Sequence, residues 1–414
     1  MGAIGGREEI VKVKGVFVIL PFFISCVFSV SGWGGQNSES ISHIINEFAA
    51  NLYKYVLDGE GNVFFSPYSL SSAFAMLYPG ARGKTKEEME KVLHFIPEER
   101  ENSRQFHVFL NRIREINRDG KIDLITANSI WLQKGVRLLE SYLGTVKKFF
   151  ESGLHYVDFI ASPEGARKAI NRWVAKKTRD KIKDLLHRGD VTQETRMVLC
   201  NAIYFNGKWK KAFDRRKTKK GIFYEEGGKK KEVEMMEKKE ECRLAELGQI
   251  DAISIPYGKG EVSMIIFLPK DRDGIEVVDK EIEGGKLEEW ISTVLNSPTK
   301  EVRVVLPKFK MEERYDLGQV LEKMGMKTSF SSQADFSGLA GERRWAISKV
   351  VHKAVVEVDE KGTEAAAATA VVVEEITCLP SHQNFVADHP FVFAIVDTKT
   401  GSILFLGRMT TVKS

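Results

Sequence analysis

Cysteine is scarce in this chain, with four among 414 residues. Cys26 lies in an apolar run near the N-terminus, and Cys200, Cys242 and Cys378 remain as an odd number without paired spacing. Small secreted domains that depend on disulfides carry an even, regularly spaced set of cysteines. The sequence therefore excludes a disulfide framework as the basis of the fold.

Catalytic motifs are missing as well. The chain contains no G-x-S-x-G turn, no H-E-x-x-H pair and no C-x-x-C pair. Cys200 next to Asn201, with the distant His352, supplies the residue types of a cysteine protease. However, Cys200 lies in an apolar run, where a buried and unreactive thiol is expected. We expect no enzyme activity, no metal ion and no cofactor.

No linker rich in Pro, Gly or Ser divides the chain, so one large domain is predicted. Charged residues make up 29% and hydrophobic residues 43% of the sequence, which is typical of a globular protein with an ample core. The net charge of +5 is modest for this length and does not indicate nucleic-acid binding. Helical patterns come first and strand patterns later, without regular alternation, which favours an α+β fold class.

The N-terminus has the pattern of a signal peptide. Basic residues precede the apolar run 16–30, and small residues follow it. The run is shorter than the ~20 residues of a transmembrane helix, and Pro21 interrupts it. We assign residues 1–32 to the signal peptide and 33–414 to the mature domain, and we expect a secreted, extracellular protein. An uncleaved anchor is the alternative, and the lack of N-glycosylation sequons and disulfides also suits a cytoplasmic protein.

The most informative segment lies at residues 357–385. Four alanines at 365–368 precede Thr369, Ala370 and three valines. In an extended chain, one face of this segment is uncharged, and Glu364 and Glu374 lie on the other. The uncharged face consists of Thr363, Ala365, Ala367, Thr369, Val371 and Val373. Such a strand can pack one face on a core and leave the other in solvent. An Ala-rich helix is the local alternative, which the valines disfavour.

Three motifs resemble those of the serpin family. Residues 360–369 resemble the hinge of inhibitory serpins, residues 388–393 resemble the C-terminal strand motif, and residues 66–69 are similar to a further serpin segment. They occur in order along the chain, and the pattern is most similar to the ovalbumin-like branch that includes the leukocyte elastase inhibitor. The resemblance implies the serpin fold: a multi-helix domain with a large, mostly antiparallel central sheet, two smaller sheets and an exposed reactive-centre loop at about residues 360–385.

This resemblance implies a monomeric suicide-type inhibitor that forms a covalent complex with a serine protease. After cleavage, the loop enters the main sheet as a new strand. Counting from the hinge places the reactive bond at Ile376 and Thr377, which suits an elastase- or chymotrypsin-like protease because a trypsin-like pocket requires Lys or Arg. The alternatives are a non-inhibitory serpin, acting as a chaperone, storage or carrier protein, and an inhibitor of cysteine proteases.

The resemblance also implies three groups of residues that handle the loop. The hinge consists of Glu360, Gly362, Thr363, Ala365, Ala367 and Thr369. The shutter, a buried hydrogen-bonded cluster under the central strands, consists of Ser66, Ser69, Asn201 and His352. The breach, where the loop first enters the sheet, consists of Trp209, Lys308 and Glu360. A core histidine without a gating role is the alternative for His352, and an exposed Lys308–Glu360 ion pair would contribute no more than ~1 kcal/mol.

A basic run extends from Lys208 to Lys220, with Asp214 as its single acidic residue. Such a density of positive charge is typical of segments that bind heparin-like polyanions. A solvated surface loop is the alternative.

Overall fold

The computed structural model describes residues 40–57, 61–150, 153–343, 345–362 and 383–413. The predicted signal peptide lies outside these ranges. Among the described residues, no helix is long and apolar enough to cross a membrane. The described residues belong to one compact unit.

Helices dominate the first part of the described chain, and four more lie in its later part. They are α1 (Ile41–Val56), α2 (Pro67–Leu77), α3 (Gly83–Leu93), α4 (Glu99–Asn117), α5 (Glu140–Phe150), α6 (Pro163–Lys177), α7 (Ile275–Glu283), α8 (Leu287–Asn296), α9 (Gly318–Met324) and α10 (Ser337–Ala340). The cap predicted for α2 is present, because the Ser66 hydroxyl accepts a hydrogen bond from the backbone N–H of Ser69 and Pro67 follows at the first helical position.

Strands occur along the whole described chain and dominate its later part. They are β1 (Val63–Phe65), β2 (Ile122–Gln133), β3 (Leu154–Val157), β4 (Met197–Gly207), β5 (Lys219–Tyr224), β6 (Lys230–Leu247), β7 (Ile250–Tyr257), β8 (Val262–Pro269), β9 (Thr299–Pro307), β10 (Phe309–Asp316), β11 (Lys349–Val358), β12 (Gln383–Val386), β13 (Phe391–Asp397) and β14 (Ile403–Met409). The predicted α+β class is confirmed.

Five strands form the sheet that carries the predicted shutter residues, in the order β10-β11-β4-β2-β3. β10 is antiparallel to β11, and β4 is antiparallel to β2. The central pair, β11 and β4, is parallel. β2 and β3 are also parallel, so antiparallel and parallel pairings alternate across the sheet. The central parallel pair is the feature on which the site depends.

The other strands form one continuous sheet instead of the two smaller sheets implied by the resemblance. Its order is β1-β14-β13-β8-β7-β6-β9-β12, and β5 also pairs with β6. The physical reason is the length of β6, whose successive parts pair with β5, β9 and β7. This one strand joins two groups of strands by continuous hydrogen bonding.

The five-stranded sheet is covered on both faces, as the apolar sequences of β2 and β4 predict. On one face, Ile170 and Val174 of α6 pack in a cluster with Cys200 and Val351. Leu199 of β4 packs on the other face, in a cluster that contains residues of α2. Because neighbouring residues of a strand point to opposite faces, Asn201 and His352 share the face toward α2.

Candidate functional site

The site begins where β11 ends and the chain turns back. β4 and β11 pair in parallel from Val198 and Lys349 to Phe205 and Val356. After Val358, residues 359–362 form a turn in which Asp359 and Gly362 pair as an antiparallel bridge. The described chain resumes at Gln383, in β12 of the nine-stranded sheet. The segment between these points therefore starts at the end of a central strand of one sheet and leads to an edge strand of the other.

A row of polar side chains crosses the five-stranded sheet. Strand register aligns Tyr315 with His352, His352 with Asn201, and Asn201 with Asn128. The His352 Nδ1 atom lies 2.5 Å from Asn201 Oδ1, so a side-chain hydrogen bond spans the boundary between β11 and β4. The Asn201 Nδ2 atom donates to Asn128 Oδ1 at 2.8 Å, which extends the row to β2.

The start of α2 completes this network. The backbone N–H of Ser66 donates to His352 Nε2 at 3.0 Å, and the Ser66 hydroxyl donates to the Leu404 carbonyl at 2.6 Å. Asn201 Nδ2 also donates to the Ser69 hydroxyl, which in turn donates to Asn128 Oδ1. The structure thus brings together all four residues predicted for the shutter, whereas their gating role stays a prediction.

His352 is held in one neutral form. Because the Ser66 N–H can only donate, Nε2 accepts and carries no proton, so the proton lies on Nδ1 and points to Asn201. The imidazole is completely buried. Burial lowers the pKa of His352 to about 3, because the charged form would lose its hydration.

Asn128 was not predicted as a member of the network. It lies in the middle of the apolar run that predicts β2, and a carboxamide at such a position must find hydrogen-bond partners. That rule could have identified it as a site residue. The partners themselves depend on the pairing of β2 with β4, which the sequence of β2 does not specify.

Gly362 anchors the start of the loop. Its φ of +132° is a conformation that residues with a Cβ rarely adopt. A Cβ at this position would lie 2.0 Å from the backbone oxygen of Gly207 and 2.6 Å from Lys208 Cα. Glycine is therefore required both by the backbone conformation and by the close approach of the end of β4.

Trp209 packs against the same turn. Its indole Nε1 donates to the Asp359 carbonyl at 2.9 Å, and its backbone N–H donates to the Lys361 carbonyl at 3.0 Å. The indole stacks on Tyr257 with ring centroids 4.1 Å apart. These contacts tie the residues that follow β11 to the residues that follow β4.

Glu360 is buried, which corrects the expectation of an exposed ion pair. Its carboxylate is 3.5 Å from Lys308 Nζ and accepts a hydrogen bond from the Thr218 hydroxyl at 2.8 Å. The Glu360 side chain is only 5% exposed, whereas that of Lys308 is 32% exposed. Burial by itself would raise the pKa of the Glu360 carboxyl. Hydrogen bonds from its own backbone N–H and from Thr218, together with the charge of Lys308, outweigh this effect, so the pKa lies below its ordinary value. Loss of Lys308 would thus leave a buried carboxylate with less compensation.

The basic run from Lys208 to Lys220 wraps around this turn. The backbone N–H of Phe213 donates to the Glu360 carbonyl at 2.7 Å, and Lys208 pairs with Gly362 as an antiparallel bridge. Most of its basic side chains are exposed. Arg216 is paired with Asp214 and Lys220 with Glu232, so part of the charge is neutralised within the protein.

Several predicted residues lie outside the described residues. They are Thr363, Ala365, Ala367 and Thr369 of the hinge and Ile376 and Thr377 of the reactive bond. Of the hinge, the structure describes Glu360 and Gly362. Of the breach, it brings together Trp209, Lys308 and Glu360, all in contact with or next to the turn 359–362.

Comparison with known proteins gives consistent matches over this domain. Residues 43–412 match the family model described as Serpin (serine protease inhibitor). Serpin B4 of Homo sapiens is 38% identical over 389 residues, which cover 90% of this chain and 100% of the relative. The leukocyte elastase inhibitor of Bos taurus is 39% identical with the same coverage. The crystal structure of uncleaved ovalbumin has a TM-score of 0.80 at 31% identity, covering 90% of this chain and 100% of ovalbumin.

A similar match is found with Serpin48 of the insect Tenebrio molitor, with a TM-score of 0.82 at 31% identity, covering 92% of this chain and 100% of that protein. Both the sequence and the fold therefore match one family, and the resemblance to the ovalbumin-like branch is confirmed. The description of the matching family model names an inhibitor of serine proteases, not an enzyme. This chain belongs to the serpin family.

Proposed function

We propose that this protein is a suicide-type inhibitor of serine proteases, which traps its target by inserting the cleaved reactive-centre loop between β4 and β11. The direction of the chain is the observation that carries this proposal. β11 is parallel to β4, and the turn 359–362 reverses the chain directly after β11. A segment that runs back from this turn is antiparallel to both central strands at once.

The energetics of pairing favour that insertion. In the present structure, β4 and β11 share one parallel ladder, which is slightly less stable per residue than an antiparallel one. An inserted strand would replace it by two antiparallel ladders. The sheet is covered on both faces, so a segment with small or β-branched residues on one face, such as 363–373, is suited to this position.

The shutter follows from the same geometry. The hydrogen bond between His352 and Asn201 is a side-chain link across the boundary that must open. At the start of α2, Ser66 and Ser69 form hydrogen bonds with these two side chains. Separation of the strands therefore also breaks the hydrogen bonds to the helix. We infer that this network sets the barrier to loop entry. The competing explanation is a purely structural role for His352.

The residue before the reactive bond determines which class of protease the protein inhibits. With the reactive bond at Ile376–Thr377, the protein should inhibit an elastase- or chymotrypsin-like protease, because a branched aliphatic side chain lacks the charge that a trypsin-like pocket binds. The test is incubation with pancreatic elastase, chymotrypsin, trypsin and papain. Denaturing gels then show covalent complexes, and mass spectrometry identifies the released C-terminal peptide.

We expect an SDS-stable complex with elastase or chymotrypsin and a peptide that begins at Thr377. Ile376→Arg is the matched variant, and it should transfer inhibition to trypsin. Rapid stoichiometric inhibition of trypsin by the parent protein would overturn the assignment of the bond. A complex with papain alone would support the trapping mechanism but would identify a cysteine protease as the target. Cleavage by all of the serine proteases without any complex would favour the non-inhibitory alternative.

We also propose that the protein is secreted, on the basis of the leader at 1–32. Expression of the full chain in a secretory cell line tests this. Protein in the medium with an N-terminus at or close to Trp33 is expected, whereas retention in the cytoplasm with the leader intact would contradict secretion. The same preparation should elute as a monomer in size-exclusion chromatography.

The basic run is proposed as a binding site for a heparin-like polyanion. Lys210, Lys217 and Lys219 are exposed on it, and their triple alanine variant should elute from a heparin column at a clearly lower salt concentration. The matched control removes Lys168, Arg172 and Lys176, which are exposed cations on α6. An equal effect of both variants would indicate non-specific attraction to a basic protein instead of a site.

A further inference from the structure

Three side chains of the kind that bind metal ions meet between α1 and α8, outside the loop machinery. His43 and Glu47 are one turn apart on α1, and Glu288 comes from the first turn of α8. His43 Nδ1 lies 2.8 Å from a Glu288 carboxylate oxygen. One ligand atom from each of the three residues lies within 4.8 Å of those of the other two, and all three residues are half-buried.

We propose that His43, Glu47 and Glu288 form a zinc-binding site that links α1 to α8. One imidazole nitrogen and two carboxylate oxygens are donors that Zn²⁺ accepts readily, whereas Mg²⁺ and Ca²⁺ prefer all-oxygen sites. Tetrahedral zinc, at ~2.0–2.2 Å from each donor, needs donor atoms roughly 3.5 Å apart. The observed spacing is close enough for small side-chain rotations to reach that geometry.

The arrangement of charge also favours a cation. Two carboxylates within 4.8 Å of each other repel unless positive charge lies between them. A protonated His43 would compensate one carboxylate through its contact with Glu288, whereas a divalent ion would compensate both. An open groove lined by Asn46, Glu288 and Ser292 adjoins the cluster, so solvent water can reach the fourth coordination position.

The site differs from an adventitious surface site in how it is built. Its ligands come from two helices far apart in sequence, and α1 and α8 pack against each other. Metal binding would therefore stabilise the folded protein, because unfolding separates Glu288 from the other two ligands. The sequence alone predicted no metal ion, because a histidine and a glutamate at a spacing of four residues occur on many helices by chance and form no metal-binding motif. The proposal departs from that expectation on the contact with Glu288, which only the fold provides.

The test uses the full chain without a histidine tag, after treatment with EDTA. Isothermal titration calorimetry and thermal unfolding are measured with Zn²⁺, Mg²⁺ and Ca²⁺. Cobalt(II) absorption in the visible range reports the coordination directly, so a variant with altered stability can still be examined. We expect one zinc per chain, a rise in melting temperature with zinc alone, and a tetrahedral cobalt spectrum.

His43→Ala, Glu47→Gln and Glu288→Gln should each weaken zinc binding at least tenfold and remove the cobalt spectrum. The matched control is His187→Ala, which removes an exposed histidine outside the cluster and should leave both unchanged. If the parent protein shows no zinc-dependent shift and no tetrahedral cobalt spectrum, the site does not exist. If the signals persist in all three cluster variants, zinc binds elsewhere and the proposal is wrong.

Discussion

Replacement of His352 by alanine tests whether the network between β4 and β11 holds the sheet closed. The variant removes the acceptor of the Ser66 N–H and the donor to Asn201 Oδ1. A buried polar group without a partner costs ~1–3 kcal/mol, so the two groups together cost about 2–6 kcal/mol before the cavity is counted. That is a large share of the roughly 5–15 kcal/mol that stabilises a typical domain.

The expected result is more than a lower melting temperature. The affected contacts lie on the boundary that the loop must open, so His352→Ala should also speed the formation of polymers or of an inactive, loop-inserted form. The assay holds each protein at the same interval below its own melting midpoint. Native gels and residual inhibition of the target protease are then followed over time.

A matched control separates gating from general stability. His389 is also a buried histidine, and its ring contacts the Pro269 carbonyl and the Asp388 carboxylate, each at 2.8 Å. It precedes β13 of the nine-stranded sheet, so His389→Ala should lower the melting temperature without accelerating polymer formation. If both variants polymerise at the same rate, His352 is an ordinary core residue and the gating role is refuted.

The remaining predictions concern the loop, its anchor and pH. The Gly362→Ala variant should unfold at a lower denaturant concentration, because the backbone conformation at this position alone costs ~1–3 kcal/mol for a residue with a Cβ. An unchanged midpoint would contradict the close approach of the Gly207 backbone to residue 362. The Thr363→Arg variant should be cleaved at the normal rate but should be released as a substrate instead of trapping the protease, because insertion would bury an unpaired charge at a cost of several kcal/mol. The Glu364→Arg control places the same charge on the solvent face, so it should still inhibit. His352 stays neutral in the folded protein down to about pH 3, whereas the unfolded chain binds a proton near pH 6.5. Its contribution to stability is therefore complete above pH 6.5 and is lost as the pH falls toward 3, so the free energy of unfolding should fall more steeply with acidity in the parent than in His352→Gln. Equal slopes would be evidence against a neutral, buried His352.

Local patterns predicted much of the fold. β2 and β4 are apolar on both faces because helices or loops cover both sides of their sheet, and that pattern is readable within each strand. Ser66 and Pro67 marked the start of α2 for an equally local reason. The resemblance to serpins supplied the shutter residues, which lie at the start of α2 and on β4 and β11 and have no local pattern in common.

Long-range contacts account for what could not be predicted. Glu360 follows Asp359 and precedes Lys361, so local sequence indicates an exposed turn, but Thr218 and Phe213 fold over it from far away in the chain. The continuous nine-stranded sheet likewise depends on the pairing partners of β6, which its alternating sequence does not name. The cluster of His43, Glu47 and Glu288 depends on the packing of α1 against α8.

The most direct test of the mechanism is the melting temperature of the protein before and after its loop is cleaved by a protease. Insertion of residues 363–373 as a new strand would exchange one parallel ladder for two antiparallel ladders. The account therefore predicts a rise well beyond the ~2–4 °C that 1 kcal/mol produces in a large domain. If the loop is cut between 363 and 382 and the melting temperature stays the same or falls, the loop does not insert and the inhibitory mechanism proposed for this serpin is wrong.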